Sequence, residues 1–275
     1  MKIKLALEQF IKDLEKKNRS ISTILAYKKD IEQLIESINN KDVKDITSEE
    51  IERFKKKLAK NNYTAKSISR KINAIKSFFK FAQFRDFITI NPSSNITHPK
   101  YEVKQPRTLS RIEYRALRDA CRADARLTAV IEFLLQTGMR IGELARLNIS
   151  DVNTDKNFLN IKAYQSQKAR KIPLNNPLKK SLKRYLEVRP KSKVKTLFLT
   201  KTGKSFLVRN IRSAINRYFR IAGIKDARVN DLRNTFILQQ LKAGIPLVTL
   251  AKIIGHKRIS TTEKYLKLVE ETGKE

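Results

Sequence analysis

Asn230-Asp231-Leu232-Arg233-Asn234-Thr235-Phe236, then Leu250-Ala251-Lys252-Ile253-Ile254-Gly255-His256, then Ile259-Ser260-Thr261-Thr262-Glu263-Lys264-Tyr265: these three runs decide how the chain reads. They set an arginine, a histidine and a tyrosine at separations of 23 and 9 residues. A second arginine stands upstream in Thr137-Gly138-Met139-Arg140-Ile141-Gly142-Glu143-Leu144. Guanidiniums stay charged and present a planar fork of donors, so two of them can clamp a phosphodiester that a phenol attacks. With a net charge of +33 and a pI near 10.3, the implied polyanion is DNA or RNA.

The excess of 60 basic over 27 acidic residues is spread along all 275 positions. Such spreading suits a chain that surrounds its polyanion better than one with a single membrane-surface helix. A ribosomal or architectural protein could share the charge, though not the Arg, His and Tyr set. Forty per cent hydrophobic residues at helical spacing argues for folded cores, and the length allows two small domains. The single cysteine, Cys121, excludes an internal disulfide, and His98 and His256 alone cannot build a multi-histidine zinc site. No metal and no cofactor is expected. No apolar leader and no 18-residue apolar run is found, so the expectation is a soluble, cytoplasmic, nucleoid-associated protein without membrane contact.

Outward from the deciding runs, the chain divides. Residues 1–97 are expected to form a helical domain. Leu7, Phe10, Ile11 and Leu14 make one stripe; Ile24, Tyr27, Ile31, Leu34, Ile35 and Ile38 a second. Thr47-Ser48-Glu49-Glu50 resembles a capping box before Ile51, Phe54 and Leu58. A fourth helix carries Ile68, Ile72, Ile75, Phe78 and Phe79, with Lys66, Arg70 and Lys80 roughly opposite and Lys71 and Lys76 beside the stripe. These five cations are candidate phosphate contacts. Residues 98–108, with Pro99 and Pro106 around Lys100 to Lys104, look like a linker. Residues 109–275 read as mixed: helices near 110–121, 126–137, 141–147, 177–188, 208–222, 231–243, 246–254 and 260–270, with strand candidates 158–161, 171–174 and 196–199. Arg209, Arg212, Arg217 and Arg220 on the 208–222 helix are further DNA candidates.

Cleaving a phosphodiester with a phenol requires charge stabilisation at phosphorus, a route for the phenol's proton, and a proton for the leaving oxygen. Arg140 and Arg233 suit the first task, and His256 can donate to a phosphate oxygen. Glu143, three residues after Arg140, can orient that guanidinium or a neighbour.

These residues resemble the tyrosine recombinases, the Xer and phage-integrase group. Ser22 to Tyr27 through Asp30, and Ile75 to Ala82 continuing to Asn91-Pro92, look like parts of that family's helical core-binding domain. Thr137 to Leu144 looks like its first arginine box, Leu232 to Phe236 like its second, and Gly255-His256 through Tyr265 like its tyrosine box. The resemblance implies a mainly α fold with a small β-sheet, arranged as a two-domain C-shaped clamp on double-stranded DNA: a core-binding domain plus a mixed α/β catalytic domain. It implies Tyr265 as the nucleophile forming a 3′-phosphotyrosyl bond, and a homo-tetramer on DNA assembled from a free monomer or dimer, with an accessory protein possible. Docking of the tail after Tyr265, in cis or in trans, belongs to the same pattern.

Two departures stand out. The family usually has histidine three residues before the second arginine; this chain has Asn230, which cannot titrate near neutral pH. The family's leaving-group lysine falls on Gln165, so Lys168 is the preferred substitute, ahead of Lys162 and Lys171. The leading expectation is a site-specific recombinase for dimer resolution, transposon resolution, or integration and excision. The absence of an N-terminal arm-binding segment leans toward the simpler recombinases. A non-catalytic DNA-binding protein on the same fold and an enzyme like the type IB topoisomerases are the alternatives.

Overall fold

Four stretches of the first hundred residues carry apolar side chains three and four apart, and each becomes a helix: α1 (Ile3–Lys16), α2 (Ile21–Ile38), α3 (Ser48–Lys60) and α4 (Ala65–Phe84). Their starts are set by hydroxyl caps. Ser20, Thr47 and Thr64 accept from the backbone N–H groups of Thr23, Glu50 and Ser67, and Thr47 with Glu50 completes a capping box. Caps of this kind contribute about 1 kcal/mol each. The computed structural model describes residues 1–164 and 167–272, and its chain divides into two units, Met1–Val103 and Lys104–Glu275. The division falls within the stretch expected to be a linker. Thr97 is nevertheless held by Lys55 Nζ and His98 by Ser69 Oγ, so 97–98 is fastened to the first unit.

The core of that unit gathers Phe10, Ile31, Leu34, Ile51, Ile72, Ile75, Phe78 and Phe79. Phe10 meets the Phe78 ring edge-on at a 5.6 Å centroid separation. Within this apolar interior lies Asp30, 1% exposed, which a lone carboxylate could not tolerate. Lys71 Nζ reaches it at 2.9 Å, Arg70 pairs with its other oxygen, and Lys71 also bonds to Gln33 Oε1. This overturns one expected phosphate contact: the Lys71 ammonium is turned inward because Asp30 needs a counter-charge. Arg70 keeps its side chain about half exposed while sharing that carboxylate. Lys66 and Lys80 are exposed, and Lys76, half-buried, donates to the Ser94 carbonyl.

In the second unit, α5 (Arg111–Cys121) and α6 (Ala125–Thr137) lead to the short α7 (Ile141–Arg146). Three antiparallel strands follow in the order β1 (Val152–Asn153), β2 (Phe158–Ile161) and β3 (Arg170–Pro173), with Leu159 opposite Ile172. Then come α8 (Asn176–Val188), α9 (Val208–Ile221), α10 (Val229–Lys242), α11 (Leu247–Ile254), α12 (Ser260–Glu263) and α13 (Leu266–Thr272). Two helices are interior. α6 buries Ala129 through Leu135 without a break, and α10 buries Asp231 through Leu238, charged residues included. A helix covered on all sides needs polar partners for every polar side chain it carries, and α10 carries the site. Cys121 is buried, and burial pushes its thiol upward, in keeping with a packing role.

Two expected elements differ. Residues 196–199 form no strand, only isolated bridges from Thr196 to Asn148 and from Leu199 to Ser205. Side chains take the backbone groups that a ladder would have taken. The Tyr185 hydroxyl sits between the Leu197 carbonyl (3.1 Å) and the Leu199 N–H (3.0 Å), and Arg189 donates to the carbonyls of Val194, Thr196 and Leu197. The helix expected over 260–270 is two helices, parted at Lys264-Tyr265, where Tyr265 N bonds back to Thr262 O. No helix among the described residues is long and apolar enough to cross a membrane.

Asp30→Ala would strand the Lys71 ammonium in the first unit's core. The expected loss is about 3–5 kcal/mol, read as a displaced urea transition of that unit. Arg70→Ala, at a half-exposed partner, is expected to cost about 1 kcal/mol or less.

Candidate active site

The last carbonyls of a helix have no partner within it and gather partial negative charge. At the C-terminal end of α11 three consecutive carbonyls are exposed in this way, and a different guanidinium takes each. Arg170 Nε donates to Ile253 O at 2.8 Å, Arg233 Nη2 to Ile254 O at 2.8 Å, and Arg140 Nη2 to Gly255 O at 3.1 Å. Gly255 ends the helix in the left-handed region (φ +69°), and a Cβ there would come within 3.1 Å of Arg170 Nη1. The turn delivers His256, whose Nδ1 lies 2.8 Å from Thr262 Oγ1.

Each arginine arrives from its own element. Arg140 is the residue preceding α7 and follows Gly138, which ends α6 at φ +60°. A Cβ on Gly138 would lie 2.3 Å from Phe236 Cδ1, so only glycine fits between α6 and α10. Arg233, buried on α10, uses Nη1 on the Gly138 carbonyl, tying the first arginine turn to the second. Arg170 opens β3. Glu143, buried on α7, accepts both terminal nitrogens of Arg170 at 2.9 and 2.8 Å and the backbone N–H of Arg140 at 2.8 Å. Its contact with the Arg140 guanidinium is the weakest, at 3.4 Å. Of the two roles expected for Glu143, orienting a neighbouring group is the stronger, and the neighbour is Arg170.

Three guanidiniums against one carboxylate leave a cationic pocket. Burial alone would raise the Glu143 carboxyl. The Arg170 hydrogen bonds, the Arg140 N–H and both positive charges outweigh it and hold Glu143 below its ordinary value. Burial, reinforced by Arg140 and Arg170, pulls Arg233 down to about 9, leaving it cationic at neutral pH. His256 is depressed to about 4, first by burial and then by Arg233, Arg140 and Arg170, so its imidazole is neutral at pH 7. A bound anion would offset the guanidiniums' share of that depression.

Tyr265 is buried against Phe236, Ile237, Leu250 and Ile254, the last being the residue whose carbonyl holds Arg233. Its hydroxyl donates to Asn234 Oδ1 at 2.8 Å. Burial raises the phenol pKa, Arg233 lowers it and Asp231 raises it again, with a net upward shift. Asn230, exposed at the start of α10, donates through Nδ2 to the same Asn234 oxygen at 3.0 Å. The structure therefore brings Arg140, Glu143, Arg233, His256, Tyr265 and Asn230 into one neighbourhood.

Lys168 is exposed on the connection between β2 and β3, and among the described residues no contact joins it to the arginines. Gln165 lies outside the described residues. Lys162 pairs with Asp151 at 2.8 Å and Lys171 lies over the Phe158 ring, so both weaker alternatives are engaged elsewhere. Arg209, Arg212, Arg217 and Arg220 are exposed along α9. Among the described residues, no group of three or more His, Cys, Asp or Glu side chains is placed to hold a metal ion. Two residues escaped the sequence reading. Arg170 carried a weak signal as a cation at a half-buried strand position. Asn234 carried a clearer one, a polar residue on the covered side of a helix, three and four positions after Asp231 and Asn230.

The model of the phage integrase family matches residues 107–271, more than half of the chain. The chain belongs to that family. The family's N-terminal SAM-like domain matches residues 7–85. Among curated relatives, this phage integrase family member is similar to tyrosine recombinase XerD of Rickettsia bellii, 32% identical over 277 residues that cover 90% of this chain and 89% of the relative. Two solved structures share its fold. One is the Tn1549 transposon integrase in complex with transposon right end DNA, at TM-score 0.83 and 18% identity over 94% of each chain. The other is the lambda integrase tetramer bound to a Holliday junction, at TM-score 0.78 and 19% identity over 94% of this chain and 78% of that one.

The depressed His256 has a consequence for stability. The unfolded chain binds a proton at His256 near pH 6.5 while the folded chain does so only near pH 4. Acidification through that window therefore favours unfolding, with a slope of up to about 1.4 kcal/mol per pH unit. In urea titrations from pH 7 to 4, His256→Gln is expected to lose stability less steeply than the unmodified protein. Equal slopes would contradict a neutral His256.

Proposed function

We propose that this chain is a site-specific tyrosine recombinase that cleaves and rejoins duplex DNA through Tyr265. The observation that carries this reading is the row of three guanidiniums fixed on the carbonyls of residues 253–255 beside His256, with the Tyr265 phenol packed against the same helix. Fixed cations need no reorganisation when charge builds on a pentavalent phosphorus, and that makes them catalytic as well as binding groups. Arg140, half-buried, and His256 are the groups offered to the non-bridging oxygens; Arg233 adds its charge from below, and Arg170 with Glu143 keeps the cluster in shape.

In the reaction the phenol oxygen attacks phosphorus, the bond to the 5′-oxygen breaks, the phenol gives up its proton and the 5′-oxygen takes one. The 5′-hydroxyl of a partner strand reverses these events on the 3′-phosphotyrosyl adduct. One phosphodiester is exchanged for another, so the bond energy is kept in the adduct and no nucleoside triphosphate is consumed. Asn230 cannot accept the phenol's proton. Lys168, on its exposed connection, is the residue assigned to protonate the leaving oxygen.

Lys66, Arg70 and Lys80, with the half-buried Lys76, on α4 and Arg209, Arg212 and Arg217 on α9 are assigned to DNA contact, because cations that repeat along one helix follow a phosphate backbone. The domain functions follow: 1–97 core-binding, 98–108 linker, 109–275 catalytic. A relative with this fold is a tetramer on a Holliday junction, which supports a homo-tetramer on DNA here, formed from monomers or dimers. The site of action is the cytoplasm, at the nucleoid, in dimer resolution, transposon resolution or integration and excision.

Covalent trapping on nicked, end-labelled duplex tests this reading. The unmodified protein is expected to give a denaturation-resistant adduct, Tyr265→Phe none, and both to bind duplex within about twofold of each other. Arg140→Ala is expected to slow adduct formation by about 10²–10³-fold. Bound DNA without adduct from the unmodified protein would instead favour a non-catalytic binder, a role to which the missing titratable base beside Tyr265 lends some weight.

A further inference from the structure

The nucleophile's partner is an amide with every hydrogen-bonding arm engaged. Asn234 is 5% exposed on α10. Its Oδ1 accepts from the Tyr265 hydroxyl at 2.8 Å and from Asn230 Nδ2 at 3.0 Å. Its Nδ2 donates to the backbone carbonyl of Arg107 at 2.9 Å and to Asp231 Oδ1 at 3.3 Å. The donor side fixes which end of the amide faces the tyrosine, because a flipped amide would point its N–H groups at the phenol and at Asn230 and lose both carbonyl and carboxylate. The segment supplying that carbonyl is itself sewn to α10 and to the tail. Leu109 N donates to Thr235 Oγ1 at 2.8 Å, and Gln105 Nε2 donates to Glu271 on α13 at 3.0 Å.

We propose that Asn234 is the positioning residue of the Tyr265 nucleophile: its carbonyl oxygen holds the phenol proton, and the Arg107 carbonyl holds Asn234. This inference rests on the reading of Tyr265 as the nucleophile. The phenol donates its one proton to Asn234, so the lone pairs of its oxygen are directed away from that amide. An amide oxygen stabilises the protonated phenol without removing its proton, so Asn234 orients the nucleophile and does not act as its base. Asn230, exposed and donating to the same oxygen, supports the amide where the family usually places histidine. The charged groups around the phenol are Asp231 and Arg233 on α10, Arg107 within 3.9 Å of Asp231, and, past Thr262, the neutral His256.

The experiment is single-turnover adduct formation on a nicked duplex, followed from pH 6 to 10, for the unmodified protein, Asn234→Ala and Asn234→Asp, with duplex affinity measured in parallel. Asn234→Ala is expected to slow the step at least tenfold, since a displaced nucleophile can cost up to about 100-fold. Duplex affinity should stay within about twofold. Its pH midpoint should move down, because the bond that favoured the protonated phenol is gone. Asn234→Asp should move the midpoint up, because a carboxylate beside the phenol opposes its ionisation. Midpoint shifts of opposite sign are not produced by general loosening of α10, which would slow both variants without moving either midpoint; that outcome overturns the proposal. So does an Asn234→Ala variant equal to the unmodified protein in rate and midpoint. Failure of the unmodified protein itself to form an adduct on DNA it binds would overturn the reading of Tyr265 instead, together with the inference that rests on it.

Discussion

The second unit depends on how one helix ends. The carbonyls of Ile253, Ile254 and Gly255 must be satisfied, and the protein satisfies them with arginine side chains from β3, α10 and the turn before α7. The same bonds do two things. They complete the C-terminal end of α11, and they bring three like charges close together by giving each a site of negative potential to rest on. Without those carbonyls, mutual repulsion would spread the guanidiniums apart, and one carboxylate could not hold them. Glu143 closes the frame by fixing Arg170 from the opposite side.

Burial first, and the neighbouring guanidiniums after it, hold Arg233 and His256 below their ordinary values. Guanidiniums this close repel one another, and an anion among them would lower that repulsion. On the reading proposed above, the groups assigned to the phosphate are also groups that repel one another. α10 is buried without a break from Asp231 to Leu238, and its polar residues Asp231, Arg233, Asn234 and Thr235 each meet a partner from another segment.

Much of this was legible in the sequence, for particular reasons. The helices of the first unit announced themselves through hydroxyl caps and apolar spacing, both local signals. The grouping of Arg140, Arg233, His256 and Tyr265 was readable because their types and intervals are unusual together. Lys71 was misread because its direction depends on Asp30, forty-one positions away, and no periodicity reports a buried counter-ion. The 196–199 stretch has the composition of a strand, yet Tyr185 and Arg189 occupy its backbone groups, a tertiary choice. Arg170 and Asn234 left fainter signals for a related reason: their partners are a backbone carbonyl and an amide orientation, which residue type reports only weakly.

The contact between Gly138 and Phe236 joins two distant stretches of the second unit. The two positions lie 98 residues apart, yet the aromatic ring fills the space a side chain on the glycine would need, while the glycine's carbonyl anchors Arg233. A larger residue at 138 fits only with a smaller one at 236, and a smaller residue at 236 would open a void beside the arginine turn. The glycine and the phenylalanine therefore act as one packing unit, and through it a change at either position is felt by both the first and the second arginine box.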